Sequence, residues 1–390
     1  RPRRSRPAVE NRLRMLNARV GSNYYSLSQL DFELLYVTFM VLSAETQTKM
    51  NRREFLGAVG VSASTALAGC SALGSSTDST TLDLAYDAAP PHFQAVVMDR
   101  KGWFEEMGPN VEPERASCKS ITQLLVSGKA DVGMIGIIPA LVVADSETPV
   151  SVVSASSKEA FVVMVEDGAR TYFDNETGGF AAFAADRGRN FRLGTYPKGS
   201  VSDITARYWI QEVRDAALAD VDLVHLGGPG AARQALLAEE VDGAIIPEPT
   251  PTLIEAVTDA PFERITYVGD FIPGEPAGVT VVRDAFAEEN PDAVETFVAN
   301  HADATAFIRN NPDEAASYMS EVYGGESALD PATARMALDN PATRYVTDPN
   351  EITDGTTVLA EYADRLGKTD GVIGNDQLFD MSYYERAVSE

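Results

Sequence analysis

The chain of 390 residues has three histidines, His92, His225 and His301, and they are scattered along it. No HExxH and no GxSxG occurs, so neither a zinc-protease helix nor a nucleophile elbow is spelled out. The stretch "GTYPKGS" (194–200) has the Gly-x4-Gly spacing of a phosphate loop, but Ser200 stands where that loop needs lysine. The two cysteines, Cys70 and Cys118, form no CxxC pair and imply no disulfide framework. Cys118 on its own reads as a small buried residue. No aspartate cluster matches a calcium loop. The residue types therefore imply no catalytic set, no metal and no cofactor.

The positive signal lies where strands hand over to helices. In "TYPKGSVSDI" (195–204) a strand end, a lysine, a Gly-Ser turn and a helix start follow one another. Backbone N–H groups at such a helix start attract an anion, and Ser200 and Ser202 add hydroxyl donors. Ordinary N-capping by Ser200 or Ser202 is the plain alternative. "ERASCKSIT" (114–122), "GIIPAL" (136–141), "YDAAPPHFQ" (86–94) and "PEPT" (247–250) are four further loops of this kind. Open α/β sheets bind ligands at the carboxyl ends of their strands, and a cleft between two such sheets would gather all five loops. His92 reads as a polar pocket or surface residue rather than a metal ligand.

Two α/β blocks must position these loops. From Thr81, short apolar strands ("TLDLAY", "ADVGMIG", "VSVVSAS", "AFVVMVE") alternate with helical patterns at 92–104, 120–128 and 139–145. A second cycle runs from "FRLGTYP" through "DLVHLG" and "VDGAII" to "RITYVG". This rhythm predicts a mostly parallel sheet with helices on both faces. After the strand "AGVTVVR" (277–283) the chain turns helical, with proline at helix starts.

Net charge is −26, and only 5 of the 58 acidic residues fall in residues 1–69, against 10 of the 32 basic ones. Six lysines lie beyond Cys70. A surface this acidic repels nucleic acid and suits solution in strong salt, where self-repulsion is screened. From Met50, "MNRREFLGAVGVSASTALAGC" reads as an export address: a twin-arginine pair (Arg52, Arg53), an apolar run too short to span a membrane, and "LAGC", which resembles a lipobox with Cys70 as the lipidated residue. "SALGSSTDST" then reads as a flexible tether. Residues 1–49 read as a mis-called or disordered extension, with Met50 as the true start.

The segments "AVVMDRKGWFEEMGPNVE", "LLVSGKADVGMIGIIPALV", "FRLGTYPKGSVSD", "LVHLGGPGAARQALLAEEVDGAIIPEPTPTLIEA" and "VRDAFAEENPDAVETFV" resemble, in this order, the solute-binding proteins of ABC importers, closest to the aliphatic sulfonate/nitrate/taurine-binding family. The resemblance spans about 80–350. It implies a two-lobed periplasmic-binding-protein-like (type II) α/β fold: lobe 1 from 81–165 plus 275–390, lobe 2 from 166–274, and two crossing segments as a hinge. It implies a small-molecule ligand held by Tyr86, Asp87, His92, Ser117, Cys118, Lys119, Ile137, Ile138, Lys198, Gly199, Ser200, Val201, Ser202, Asp203 and Glu248. Its partners would be an ABC permease and its ATPase, with the membrane reached only through the lipid anchor, and a monomer suffices. Two features depart from the family. Ile137-Ile138 replaces small hydroxyl residues, and Asp87, Asp203 and Glu248 bring three carboxylates toward the site. These point to a zwitterion, an amine-bearing acid or a heterocycle such as a thiamine-pyrimidine precursor. A pyrimidine-synthase-like enzyme shares the fold, but it needs a buried lysine and His/Cys iron ligands.

Overall fold

The strand β1 (Leu82–Tyr86) begins the part of the chain that the computed structural model describes. The described residues are 81–107, 111–175, 178–257, 261–323 and 329–389. They fall within one compact unit, Ser76–Glu390. The readings for Arg52, Arg53, Cys70, the extension 1–49 and the tether lie outside them. No described helix is long and apolar enough to cross a membrane.

Eleven strands build two sheets among the described residues. The first holds β1, β2 (Val111–Arg115), β3 (Val132–Ile135), β4 (Val150–Lys158), β10 (Pro276–Arg283) and β11 (Arg344–Tyr345), in the order β11-β4-β10-β3-β1-β2. The second holds β5 (Phe161–Glu166), β6 (Phe191–Thr195), β7 (Val221–His225), β8 (Gly243–Pro247) and β9 (Phe262–Tyr267), in the order β7-β6-β8-β5-β9. Each sheet is mixed rather than mostly parallel. β1 runs parallel to β2 and β3, and β6 to β7 and β8, as βαβ units dictate. β10 is antiparallel to β3 and β4, and β5 is antiparallel to β8 and β9. A strand entering a sheet from the other lobe arrives running backward, and periodicity carries no sign of that.

The run 161–165 was grouped with lobe 1 by sequence. Its pairing puts it in the second sheet, with Phe161 opposite Pro247 and Val165 opposite Gly243. β4 and β5 are adjacent apolar runs, so the sequence does not mark the crossing between them. It falls at Glu159-Ala160, where Glu159 takes φ 53°. The return crossing runs beside it: Glu159 N–H donates to the Glu275 carbonyl (2.7 Å), and Gly274 N–H donates to the Glu159 carboxylate (2.8 Å).

Helices cover the sheets: α1 (Phe93–Lys101), α2 (Cys118–Val126), α3 (Ile137–Ala144), α4 (Phe180–Arg187), α5 (Val201–Tyr208), α6 (Pro229–Leu237), α7 (Thr250–Val257), α8 (Pro291–Asn310), α9 (Pro312–Tyr323), α10 (Pro331–Leu338) and α11 (Thr353–Arg365). Proline opens α6, α8 and α10, where its missing N–H costs nothing. In the second lobe, Phe173, Phe180, Phe183, Phe191 and Trp209 form edge-to-face pairs with centroids 5.0–5.6 Å apart. Each pair adds roughly 0.5–1.5 kcal/mol beyond burial. In the first lobe a polar net is fully enclosed. Gln94 donates to the Ser156 carbonyl (2.5 Å) and to Thr305 (3.1 Å), and Ser154 meets His301 Nδ1 at 3.1 Å. Burial, and then the neighbouring His92, holds His301 down to about 3, so it stays neutral.

Candidate functional site

Asp87 leaves the end of β1 and turns toward the start of α2. Its Oδ2 accepts the Cys118 thiol at 3.0 Å, and the backbone N–H groups of Cys118 and Ala89 also point at the carboxylate. Burial raises its pKa above the ordinary carboxylate range, and these hydrogen bonds offset only part of that. No cation stands among the groups acting on it. The Cys118 thiol is pushed up by burial and then by the Asp87 charge, so it is a donor and not a thiolate.

Across the seam, β6 ends at Thr195 and Tyr196 follows. Ser202 fixes this loop: its hydroxyl donates to the Ile245 carbonyl (2.6 Å) and accepts from Tyr196 N–H (3.1 Å). Gly199 takes φ 88°, a turn that suits glycine, and its N–H donates to Asp203 (2.9 Å). Ser200 caps α5 by accepting from Asp203 N–H. Asp203 is fully buried, yet Arg207, the Gly199 amide and His225 overcome the burial and lower its pKa. Its oxygens face Arg207 and His225 at 3.1 Å each.

β8 delivers Glu248. It is 4 % exposed and stands 2.8 Å from Arg264, and its Oε2 accepts from Thr252 N–H (3.1 Å). Arg264 also reaches Glu255 at 2.9 Å. Burial still leaves the Glu248 pKa raised.

Three tyrosines converge on these carboxylates. The hydroxyls of Tyr196, from the second lobe, and Tyr323, at the end of α9, are sealed from solvent without a hydrogen-bond partner. Tyr345 donates to the Pro90 carbonyl at 3.1 Å. Burial and then the Asp87 charge raise the Tyr196 pKa; Asp87 also acts on Tyr323, and Glu248 on Tyr345. Phe93 packs against both Tyr323 (6.1 Å) and Tyr345 (5.8 Å). The lobes touch here. A Cβ on Gly136, at the start of α3, would stand 3.0 Å from Val201 of α5. The cavity between Pro90, Ser157, Pro247, Glu248 and Tyr345 is about 10 Å³, room for one water.

The structure thus brings Asp87, Cys118, Val201 and Glu248 to the seam. Tyr86 turns into the first-lobe core against Phe104 (6.1 Å) and accepts from Arg115 (2.6 Å). His92 is buried under the seam against Gly278, its Nδ1 unpartnered, and burial lowers its pKa to about 3. Ile137 and Ile138 are core residues. Ser117 is exposed and caps α2 through Ser120 N–H. Lys119 and Lys198 are exposed. Ser200, Ser202 and Asp203 spend their polar atoms on bracing the loop, Ser202 against Ile245 and Asp203 against Arg207 and His225. Sequence reasoning missed Tyr196, Tyr323, Tyr345 and Arg264. Tyr196 lies inside the quoted "TYPKGS", so its place after a strand end was a usable signal; the others carried none. Among the described residues no cluster of His, Cys, Asp or Glu is set to hold a metal.

Two sheets, two crossing strands and loops that face each other across a seam define a two-lobed, type II periplasmic-binding-protein-like fold. Solved structures share it. The ligand-binding component of an ABC-type import system from Staphylococcus aureus, solved with zinc bound, superposes with a TM-score of 0.62 at 14% identity, covering 80% of this chain and 99% of that one. The periplasmic aliphatic sulphonate binding protein SsuA from Escherichia coli gives 0.61 at 16%, covering 77% and 92%. The periplasmic nitrate-binding protein NrtA from Synechocystis gives 0.60 at 16%, covering 79% and 88%. No curated protein matches the chain. The pattern of the NMT1-like family matches residues 75–323, more than half of the chain, and the chain belongs to that family.

Proposed function

We propose that this protein is the extracytoplasmic solute-binding component of an ABC importer, which captures a small organic solute between its lobes and passes it to a permease. One observation carries the reading: Asp87, Tyr323 and Tyr345 from one lobe, and Tyr196 and Glu248 from the other, converge on a single seam beside two crossing strands. Closure on a hinge brings such groups around a solute, and it needs no catalytic group. Sulfonate, nitrate and taurine-like solutes are the class to search, because two of the structurally similar proteins are named for sulphonate and nitrate, and within that class the uncompensated Asp87 favours the amine-bearing members. Lobe 1 comprises residues 81–159 and 275–390, and lobe 2 comprises 160–274. The stretch 50–70 supports export by the twin-arginine route and a lipid tether at Cys70, which would hold a monomer at the outer face of the membrane beside its permease and ATPase. The acidic balance suits a salty exterior.

A thermal-shift screen of the full chain in high salt tests this, with sulfonates, nitrate, taurine, amino acids, polyamines and aminopyrimidines as probes. A solute at about 100 times its Kd adds roughly 2.7 kcal/mol, a clear rise in Tm. No rise with any probe would count against a solute-binding role.

A further inference from the structure

The polar groups that converge on the seam are matched neither in hydrogen bonds nor in charge. Asp87 is a carboxylate whose surroundings supply a thiol and two backbone N–H groups and no cation. Glu248, the other carboxylate at the seam, already holds Arg264 at 2.8 Å. The lysines of the loops do not turn inward: Lys119 and Lys198 are exposed. Two hydroxyls on which the Asp87 charge acts, those of Tyr196 and Tyr323, are sealed and unpartnered. A buried phenol without a partner is unfavourable, and it is the kind of group a ligand satisfies. It can donate to a ligand acceptor or accept from a ligand N–H. A bare oxyanion placed between these groups would meet an uncompensated negative charge, whereas a nitrogen carrying protons would neutralise it and donate to the Asp87 carboxylate and the phenol oxygens.

We infer that the seam selects a solute with an amino, ammonium or amino-heterocycle nitrogen, which donates to Asp87 while the Tyr196 and Tyr323 hydroxyls hold its neighbouring polar atoms; a bare inorganic or alkyl oxyanion is refused. This rests on the solute-binding reading and narrows it. Asp87 fixes the charge of the solute, and the tyrosines, one from each lobe, register that the lobes have closed. An acidic far end of the solute is tolerated only toward the exposed side, where Lys368 lies 3.2 Å from the position a Cβ would take on Gly199.

Paired probes test the inference, because each pair differs at one nitrogen. Isothermal titration of the full chain with taurine against isethionate, and with 4-aminopyrimidine against pyrimidine, isolates the amino group; nitrate and ethanesulfonate serve as oxyanions. The expected result is that the amino member of one pair binds at least about tenfold more tightly than its partner, a difference of about 1.4 kcal/mol. Asp87→Asn should erase that preference. Tyr196→Phe, which removes only a hydroxyl, should weaken the same solute about tenfold while Tm without solute is kept, so the test stands even if Asp87→Asn folds poorly. Affinity for the amino solute should fall as pH falls and Asp87 takes up its proton. Tight binding of nitrate, ethanesulfonate or isethionate, unaffected by Asp87→Asn, would overturn the inference and leave the solute-binding reading intact. Binding of no probe by the wild type would overturn both.

Discussion

Glu275 stands in the return crossing, fully buried, with no side-chain or cationic partner for its carboxylate and only the Ala160 and Glu159 backbone N–H groups leaning toward it. Burial, with the Glu159 charge beside it adding to the effect, pushes its pKa up from 4.5 to about 8. The other charged groups at this crossing are already paired: Glu159 with Arg344, and Lys158 with Glu351 at 2.6 Å. Glu275→Gln keeps the shape and removes the ionisation. Below about pH 4.5 the carboxyl is protonated in both the folded and the unfolded chain, and ionisation costs nothing. As pH rises, the unfolded chain releases the proton and the folded one keeps it, so the wild type loses stability until pH passes about 8. At about pH 7, roughly 2.5 pH units above the ordinary value of 4.5, the loss has an upper value of about 3 kcal/mol. Urea unfolding of both proteins from about pH 5 to 8.5 should show the variant gaining on the wild type by roughly 1.4 kcal/mol per pH unit, then levelling off. Parallel stability curves across that range would refute a buried, unpaired carboxyl at the crossing.

Three further outcomes follow from other positions. A Cβ on Gly355, in α11, would lie 2.2 Å from the Gly274 carbonyl of the same crossing, so Gly355→Ala should cost about 1–3 kcal/mol in thermal unfolding. Ser202→Ala strands the Ile245 carbonyl and the Tyr196 N–H, and should cost about 1–3 kcal/mol and weaken solute binding with it, read by unfolding and titration together. Asp242 is fully buried between Arg189 and Arg192, and although burial opposes it, their hydrogen bonds hold its pKa down to about 2. Its contribution is present above the ordinary value of 3.8 and is lost as pH falls through about 2. The arginines are 40% and 32% exposed, so screening limits the loss in Asp242→Asn to about 1–2 kcal/mol, measured by urea unfolding near neutral pH.

Much of the fold was legible because strand, loop and helix follow each other with clear punctuation. The run 81–86, the helix that follows Pro90 and the strand 277–283 fall where periodicity puts them. The crossing at Glu159-Ala160 was not legible, since two apolar runs abut there and only hydrogen-bond partners assign them to different sheets. Strand direction was lost for the same reason. Asp87 and Glu248 lie at the seam where the sequence places them, each one residue past a strand end. Ser200, Ser202 and Asp203 were found for the right position but a different task, since a hydroxyl or carboxylate at a helix start serves the loop before it serves a ligand. His92 misled because a polar residue in a strand-to-helix loop can still be enclosed, here behind Gly278. Tyr323 and Tyr345 come from a region with no strand-to-helix loop, and only the path of the chain past α9 brings them to the seam.

The central claim is that a small solute is bound by closure of the two lobes. Gly136 tests it, because it is the point where the lobes meet, and its φ of −67° admits any side chain. Gly136→Leu would wedge α3 away from Val201; the Gly136 backbone N–H also bonds the Cys118 thiol that donates to Asp87, so Cys118→Ala is the control for disturbance at Asp87 itself. Calorimetric titration of the wild type and of Gly136→Leu with the solute that raises Tm most is the direct measurement. The account predicts one solute per chain for the wild type and an affinity about tenfold or more weaker for the variant. No binding to the wild type, or equal affinity in both, would contradict it.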